Sequence, residues 1–225
     1  MSRTHTETGG GHKTFYQVRN GRLVHEVSED TPNALPRVIE MGKRAGETIY
    51  ELHEGGIIGT ITGARFAVKD FGQKKSKEIQ IDIDDDAQLQ FNENMYLSAL
   101  GEKLPLVDFS KEVNICLWKS KKGSAVLDIH QNGEKLPNYF TDWKAKEGGG
   151  WEPILKNGIP AVEKDELGDP DFRDRDKFLK ITLMELFKTV EPASSLASDV
   201  QEAVAEKKEE GFKHTPPEDD DNIPF

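Results

Sequence analysis

Trp118-Lys119-Ser120-Lys121-Lys122 sets an indole ring beside three lysines. A ring face can stack on an unpaired base, and ammonium groups can neutralise the phosphates around it. Stacking is worth about 1–3 kcal/mol per base and tolerates any sequence, because every base has a π face. Three further stretches repeat this theme. One is Tyr139-Phe140 with Trp143-Lys144 and Lys146. Another is Phe66, Lys69, Phe71 and Lys74-Lys75, and the last is Phe15, Tyr16 and Arg19. The competing assignment for each aromatic is a place in the core, with its lysines in solvated turns. Trp118 escapes that assignment best. It alternates with Asn114 and Cys116, opposite the apolar series Val113, Ile115 and Leu117, so it belongs on the outer side of a strand. Trp151, beside Pro153, reads as a packing residue.

A second chemical feature closes the chain. Glu218-Asp219-Asp220-Asp221 is followed by Asn222-Ile223-Pro224-Phe225. The carboxylates resemble a phosphate backbone, so they can occupy a basic groove weakly. Ile223-Pro224-Phe225 can fill a partner's pocket while the terminal carboxylate meets an Arg or Lys. This segment also explains the charge. The net charge is −11. From Glu191 onward ten acids and three bases contribute −7, leaving −4 for the preceding 190 residues. Screening confines each local field to about 8–10 Å, so basic stripes in a mildly acidic body still attract phosphate.

Other chemistries find little support. There is no G-x-x-x-x-G-K-[ST] loop for nucleotide hydrolysis, and Gly56, Gly59 and Gly63 read as bends rather than a dinucleotide fingerprint. The histidines lack an H-E-x-x-H pattern. Cys116 is the single cysteine, so it has neither a disulfide partner nor a zinc-ligating neighbour. Carboxylates gather at Asp82, Asp84, Asp85 and Asp86 and again from Asp165 to Asp176. They lack calcium-loop spacing and read as solvated loop acids. No catalytic residue, metal or cofactor is assigned. No signal peptide and no membrane span is expected, which points to a cytosolic protein.

The elements that must carry these residues are mostly short strands. Asn20-Gly21 and Asn132-Gly133 are two-residue hairpin turns, because both positions tolerate positive φ. Ile57 to Phe71 alternates with glycines inside it, as at a bulge or barrel corner. Glu78 to Asp84 alternates strictly. Val113 to Leu117 and Ala125 to Ile129 flank the Lys119–Gly123 turn. The stretch Ala87 to Leu100 is either strand or short helix, and residues 141–171 read as loop. Phe178 to Phe187 is ambiguous: Leu179, Ile181 and Leu183 alternate as in a strand, while Leu179, Leu183, Leu186 and Val190 fit helical spacing, and a strand starting near Lys177 and running into a helical turn is the favoured reading. Frequent turns without alternating helices predict a mainly β fold, a barrel or sandwich. A five-stranded barrel with long loops fits the size.

Two stretches resemble single-stranded-DNA-binding proteins. Asp219-Asp220-Asp221-Asn222-Ile223-Pro224-Phe225 is similar to the Asp-Asp-Asp-Ile-Pro-Phe terminus of the bacterial family, with Asn222 inserted. Asn114 to Gly123, Gln131-Asn132-Gly133 and Tyr139-Phe140 are similar to phage-encoded members. The resemblance covers roughly residues 113–140 and the tail. It implies an OB-fold core that binds single-stranded DNA, and a tail that recruits replication, recombination and repair proteins such as polymerase, helicase, primase, recombinase or exonuclease. Polar, glycine-rich residues 1–12 are expected to be a disordered arm and the acidic, proline-containing residues 191–225 a flexible tail; with the resemblance, 13–190 is the expected OB-fold domain and the tail is expected to compete with DNA for its groove. The expected setting is the cytoplasm of an infected bacterial host. The expected DNA contacts are Trp118, Lys119, Lys121, Lys122, Tyr139, Phe140, Trp143, Lys144, Phe71, Lys74, Lys75, Tyr16 and Arg19. Asp219, Asp220, Asp221, Ile223, Pro224 and Phe225 are the expected partner contacts. The rival expectations are a β-sandwich adaptor that binds no DNA and a metal-dependent nuclease built on the acidic loops.

Overall fold

A computed structural model of the chain describes residues 13–40, 42–70, 75–147 and 149–190. The chain divides into two units after Glu191, and all the described residues belong to the first. The arm 1–12, Phe71 and Lys74, and the tail with its partner contacts lie outside the described residues.

The first hairpin forms where the sequence places it. β1 (Thr14–Arg19) and β2 (Arg22–Val27) meet at Asn20-Gly21, with φ of 50° and 70°. Positive φ at both turn positions matches the twist of the flanking strands. β3 (Leu35–Val38) contains Pro36 and lies at one end of the sheet, where a missing N–H leaves no ladder bond unmade. β4 (Thr48–Glu54) leads into β5 (Gly56–Asp70), and β6 (Lys75–Ile83) follows. The ambiguous stretch after it is both things in turn. Residues Ala87–Asn92 form β7 and Glu93–Lys103 form α1. A short 3-10 turn, Leu104–Leu106, ends that helix at Pro105. β8 (Glu112–Lys119), β9 (Ala125–Gln131) and β10 (Glu134–Lys135) then form a meander, with Asn132-Gly133 as its second positive-φ turn.

The strands join in one sheet of order β10-β9-β8-β5-β6-β7-β1-β2-β4-β3. β1 pairs with β7 in parallel and the other neighbours run antiparallel. The fold is mainly β, as expected. The sheet is an open row of ten strands and does not close on itself, so a closed barrel of five strands does not describe it. β5 links its two halves. Residues Gly56–Thr60 pair with β8 and residues from Ile61 onward pair with β6, with a register shift between Ile61 and Gly63. The glycines serve this junction. A Cβ at Gly56 would lie 2.6 Å from the Ile115 carbonyl oxygen.

Two expectations are corrected. Residues 141–171 are not simply loop. They hold a hairpin of β11 (Thr141–Ala145) and β12 (Trp151–Leu155), and a short pairing of Glu163–Lys164 with Pro170–Asp171. The expected strand from Lys177 is helix α2, Arg173–Val190. Leu179, Leu183 and Phe187 are its buried residues, repeating every four positions as one helical face must. Ile181, which made the stretch look alternating, is 53% exposed. Asp174 and Asp176 in the first turn and Lys188 in the last suit the helix dipole.

α1 packs on β6, β7 and β9, and α2 on α1 and β5. Gly101 sets the helix contact, since a Cβ there would lie 2.9 Å from Leu179 Cδ2. Phe187 meets Phe66 at 5.5 Å between ring centroids. The core lies under the helices and includes Ile79, Ile81, Ile83, Leu89, Phe91, Val113, Ile115 and Leu117. The helix makes a discriminating prediction. Leu183→Ala should cost about 2–5 kcal/mol, whereas Ile181→Ala should stay within about 0.5 kcal/mol, as for surface sites. Urea melts of the two variants measure the difference, and equal losses would restore the strand.

Candidate nucleic-acid interface

β8 presents its side chains as the alternation requires. Val113, Ile115 and Leu117 are buried, while Trp118 is 46% exposed. The ring is exposed but not loose. Trp118 Nε1 donates to Asp128 Oδ2 at 3.1 Å, and Lys135 Nζ meets Asp128 Oδ1 at 2.7 Å. Asp128 stands opposite Cys116 on the paired strand β9. Burial opposes its ionisation, but the hydrogen bonds from Lys135 and Trp118 outweigh burial and hold its carboxyl below the usual carboxylate range. The same surroundings act on Cys116 with the opposite sign for reactivity. Burial, then the Asp128 charge, push its thiol up, away from the thiolate form that reacts.

The β1–β2 turn packs against this end of β8. A Cβ at Gly21 would sit 3.0 Å from Lys119 Cγ and 3.2 Å from the Trp118 carbonyl oxygen. Only glycine suits the position, because φ there is also positive. Asn20, Gly21, Arg22, Gly55, Trp118 and Lys119 border a pocket of about 500 Å³. Arg22, Lys119, Lys121 and Lys122 are exposed, and none is in an ion pair among the described residues. Arg22 did not stand out in the sequence. Its only signal is its place directly after a hairpin turn, and the turn's packing against Lys119 is a long-range fact.

Other cations are already engaged. Lys13 and Arg65 reach Asp82 at 2.8 and 3.1 Å. Lys69 reaches Glu78 at 3.0 Å and donates to Gln90 at 2.7 Å. Arg19 lies 3.4 Å from Glu51 and donates to Gln17 at 2.7 Å. These pairs bind the outer side of β5, β6, β7 and β1 into a ladder of internal salt bridges. Lys75 is exposed and in no ion pair among the described residues.

The remaining expected contacts separate. Tyr16 is 4% exposed and Phe140 is 2% exposed. Neither ring face is available to a base, which corrects their assignment as DNA contacts. Tyr16 packs at 4.6 Å from His25, and Phe140 lies edge-on to Phe178 and to Tyr139. Alternation predicted an apolar side for each strand but not which of two adjacent aromatics lay on it. Tyr139 is half-buried. Trp143 is exposed and Lys144 is paired with Glu152 at 2.7 Å. Trp151 is also exposed, so it is not the packing residue expected. Phe66 belongs with the core. Asp82 of the first acidic cluster is occupied by lysine and arginine, and among the described residues no group of three or more His, Cys, Asp or Glu is placed to hold a metal ion.

Comparison with family models, with curated proteins and with solved structures returns no match. What the site defines is therefore a class by chemistry alone: a fixed, outward-facing indole near cations that are in no ion pair among the described residues.

Asp128→Ala leaves the indole N–H and Lys135 without an acceptor and should cost about 1–3 kcal/mol in urea melts. Asp128→Asn, which keeps an acceptor, should cost less. Because the folded carboxyl lies below its ordinary value of 3.8, its stabilisation is present above that value and is lost as pH falls through the lower folded one. The Asp128→Asn protein should lack that acid loss, which stability measured across the acid range detects.

Proposed function

We propose that this chain binds single-stranded DNA without strong sequence preference during phage DNA replication, recombination and repair. It protects the strand and recruits replication proteins through residues 218–225. The observation that carries the reading is Trp118, exposed yet fixed by Asp128, on a pocket that Arg22 and Lys119 also border, with Lys121 and Lys122 in the turn that follows and none of the four cations in an ion pair among the described residues. A sequence-tolerant site needs that pairing of stacking surface with phosphate neutralisation. The protein is on this reading a binder rather than an enzyme, acting in the cytoplasm of an infected bacterial host. Among the described residues no helix is long and apolar enough to cross a membrane.

The reading takes β5 to β9 as a partly open barrel of OB type. In that fold the loop between the fourth and fifth strands and the loop between the first and second both touch oligonucleotides. Counting from β5, the β8–β9 turn carries Lys121 and Lys122 beside Trp118. The β5–β6 connection carries Phe71 and Lys74 in sequence, with Lys75 following. The shared strand β5, pairing with β6 on one side and β8 on the other, supports this assignment.

Adding poly(dT) should quench tryptophan fluorescence, and Trp118→Ala should remove much of the quench. Unchanged fluorescence with no binding would favour the adaptor that does not touch DNA. Affinity should fall with salt at about 0.7 log units per neutralised phosphate, so Lys121→Gln and Lys122→Gln should each flatten the slope by about that amount. A chain lacking residues 218–225 has lost four carboxylates that repel phosphate. It should bind DNA more tightly and stop recruiting partners. Retained recruitment with unchanged affinity sinks the role given to the tail.

A further inference from the structure

A larger pocket lies beside the Trp118 site, between α1, β9, β10 and the start of the β11–β12 hairpin. It encloses about 680 Å³, within the roughly 300–1,000 Å³ typical of small-ligand sites. Met95, Val126 and Leu136 supply apolar surface, and Trp143 brings an exposed indole to its edge. Trp143 is held by its hairpin. It pairs with Pro153 across the strands, while Lys144 and Glu152 bridge on the opposite side.

The charges on the pocket do not balance. Arg175 is taken up by Glu102 at 2.9 Å, and Glu102 also accepts from Thr141 Oγ1 at 2.6 Å and from the Phe140 N–H at 2.9 Å. Lys135 is taken up by Asp128. Lys103 is 7% exposed and has no carboxylate partner among the described residues. Its ammonium donates to the Leu136 carbonyl oxygen at 2.7 Å. Burial, reinforced by the charge of Lys135, pulls its pKa down. The pocket thus carries one cation more than its carboxylates neutralise, and an anion entering it would gain.

The pocket is continuous with the Trp118 site. Val126, on its wall, is the cross-strand partner of Trp118. Asp128, also on its wall, accepts the Trp118 N–H. Directly opposed residues on a sheet lie about 4.5–5.5 Å apart at Cβ, so a strand stacked on Trp118 reaches the pocket without leaving the surface.

We propose that this pocket receives one nucleotide of the bound strand, with its base stacked on Trp143 and its phosphate beside Lys103. The proposal rests on the single-strand reading above and gives the strand a direction. It leaves the Trp118 groove across the outer side of β8 and β9. It does not follow β6 and β7, where Lys13, Arg65 and Lys69 are already neutralised by Asp82 and Glu78.

The test uses the full chain and dT oligonucleotides of one length, intact or with one abasic site placed at successive positions. For the unsubstituted protein, at least one position should lose affinity about fivefold or more, the low end of one stacked base. Trp143→Ala should weaken binding to intact oligonucleotide by a similar factor and abolish the penalty at one abasic position. Trp143→Phe should retain both affinity and penalty. If Trp143→Ala weakens binding but leaves every abasic penalty in place, its effect is structural and the proposal falls. Trp118→Ala, run in parallel, separates the two readings. Loss there with none for Trp143→Ala overturns the pocket and leaves the single-strand reading standing, whereas loss in neither removes both. Intact DNA binding with loss of a replication protein in Trp143→Ala would make the pocket a protein-docking site and overturn the proposal.

Discussion

β5 must hydrogen-bond to β6 along most of its length and to β8 at its start. A strand can change partners only if its backbone bends and its neighbours come close at the bend. Glycine at 56, 59 and 63 permits both. At Gly56 there is no room for a Cβ against the Ile115 carbonyl, and at Gly59 one would collide with Asp84 and Ile83. The register shift next to Gly63 absorbs the extra residue. Everything used in the functional argument hangs from this strand. β8 and β9 carry Trp118 and Asp128 because β5 holds them in place. The helices pack where they do because β5 and β6 present one continuous apolar side.

Charge is distributed by the same sheet. A chain of net charge −11 is a poor candidate for a polyanion until the cations are sorted by partner. Arg65 and Lys69 of β5, Arg19 of β1 and the adjoining Lys13 lie against carboxylates and glutamines and are spent on the sheet itself. Paired surface cations of this kind add little to stability, and they have little charge left to offer a phosphate. At the β1–β2 and β8–β9 turns the nearby Asp128 is taken by Trp118 and Lys135, and Arg22, Lys119, Lys121 and Lys122 are in no ion pair among the described residues. Neutralisation is local and a net charge is global, which is why the second is a weak guide to the first.

Buried acids play a consistent part near this surface. Asp128 fixes the Trp118 ring and one lysine. Glu102 ties α1 to the base of the β11 hairpin and to Arg175 of α2. Each accepts enough hydrogen bonds to offset its desolvation. Each also sets the orientation of a group that faces outward. A stacking ring that is held before the strand arrives loses less freedom when it binds.

Short-range physics made much of the molecule legible. Asn-Gly pairs specified two hairpins through positive φ alone. Alternation separated Val113, Ile115 and Leu117 from Trp118 and put the indole outside. Glycines within an alternating run marked the bend in β5. Acidic residues after Glu191 accounted for most of the net charge by position. Other features required the tertiary structure. Leu179, Ile181 and Leu183 fitted a strand while Leu179, Leu183, Leu186 and Val190 fitted a helix, and packing against Phe66 and Gly101 decided for the helix. Tyr16 and Phe140 carry the same ring types as exposed neighbours, and only the core's location buries them. The Trp118 site itself joins β1–β2 to β8, nearly a hundred residues apart. Local sequence fixes turns and sides because those depend on neighbouring dihedrals. Which turns meet depends on long-range pairing, and that convergence set Arg22 and Lys119 on one pocket with Trp118.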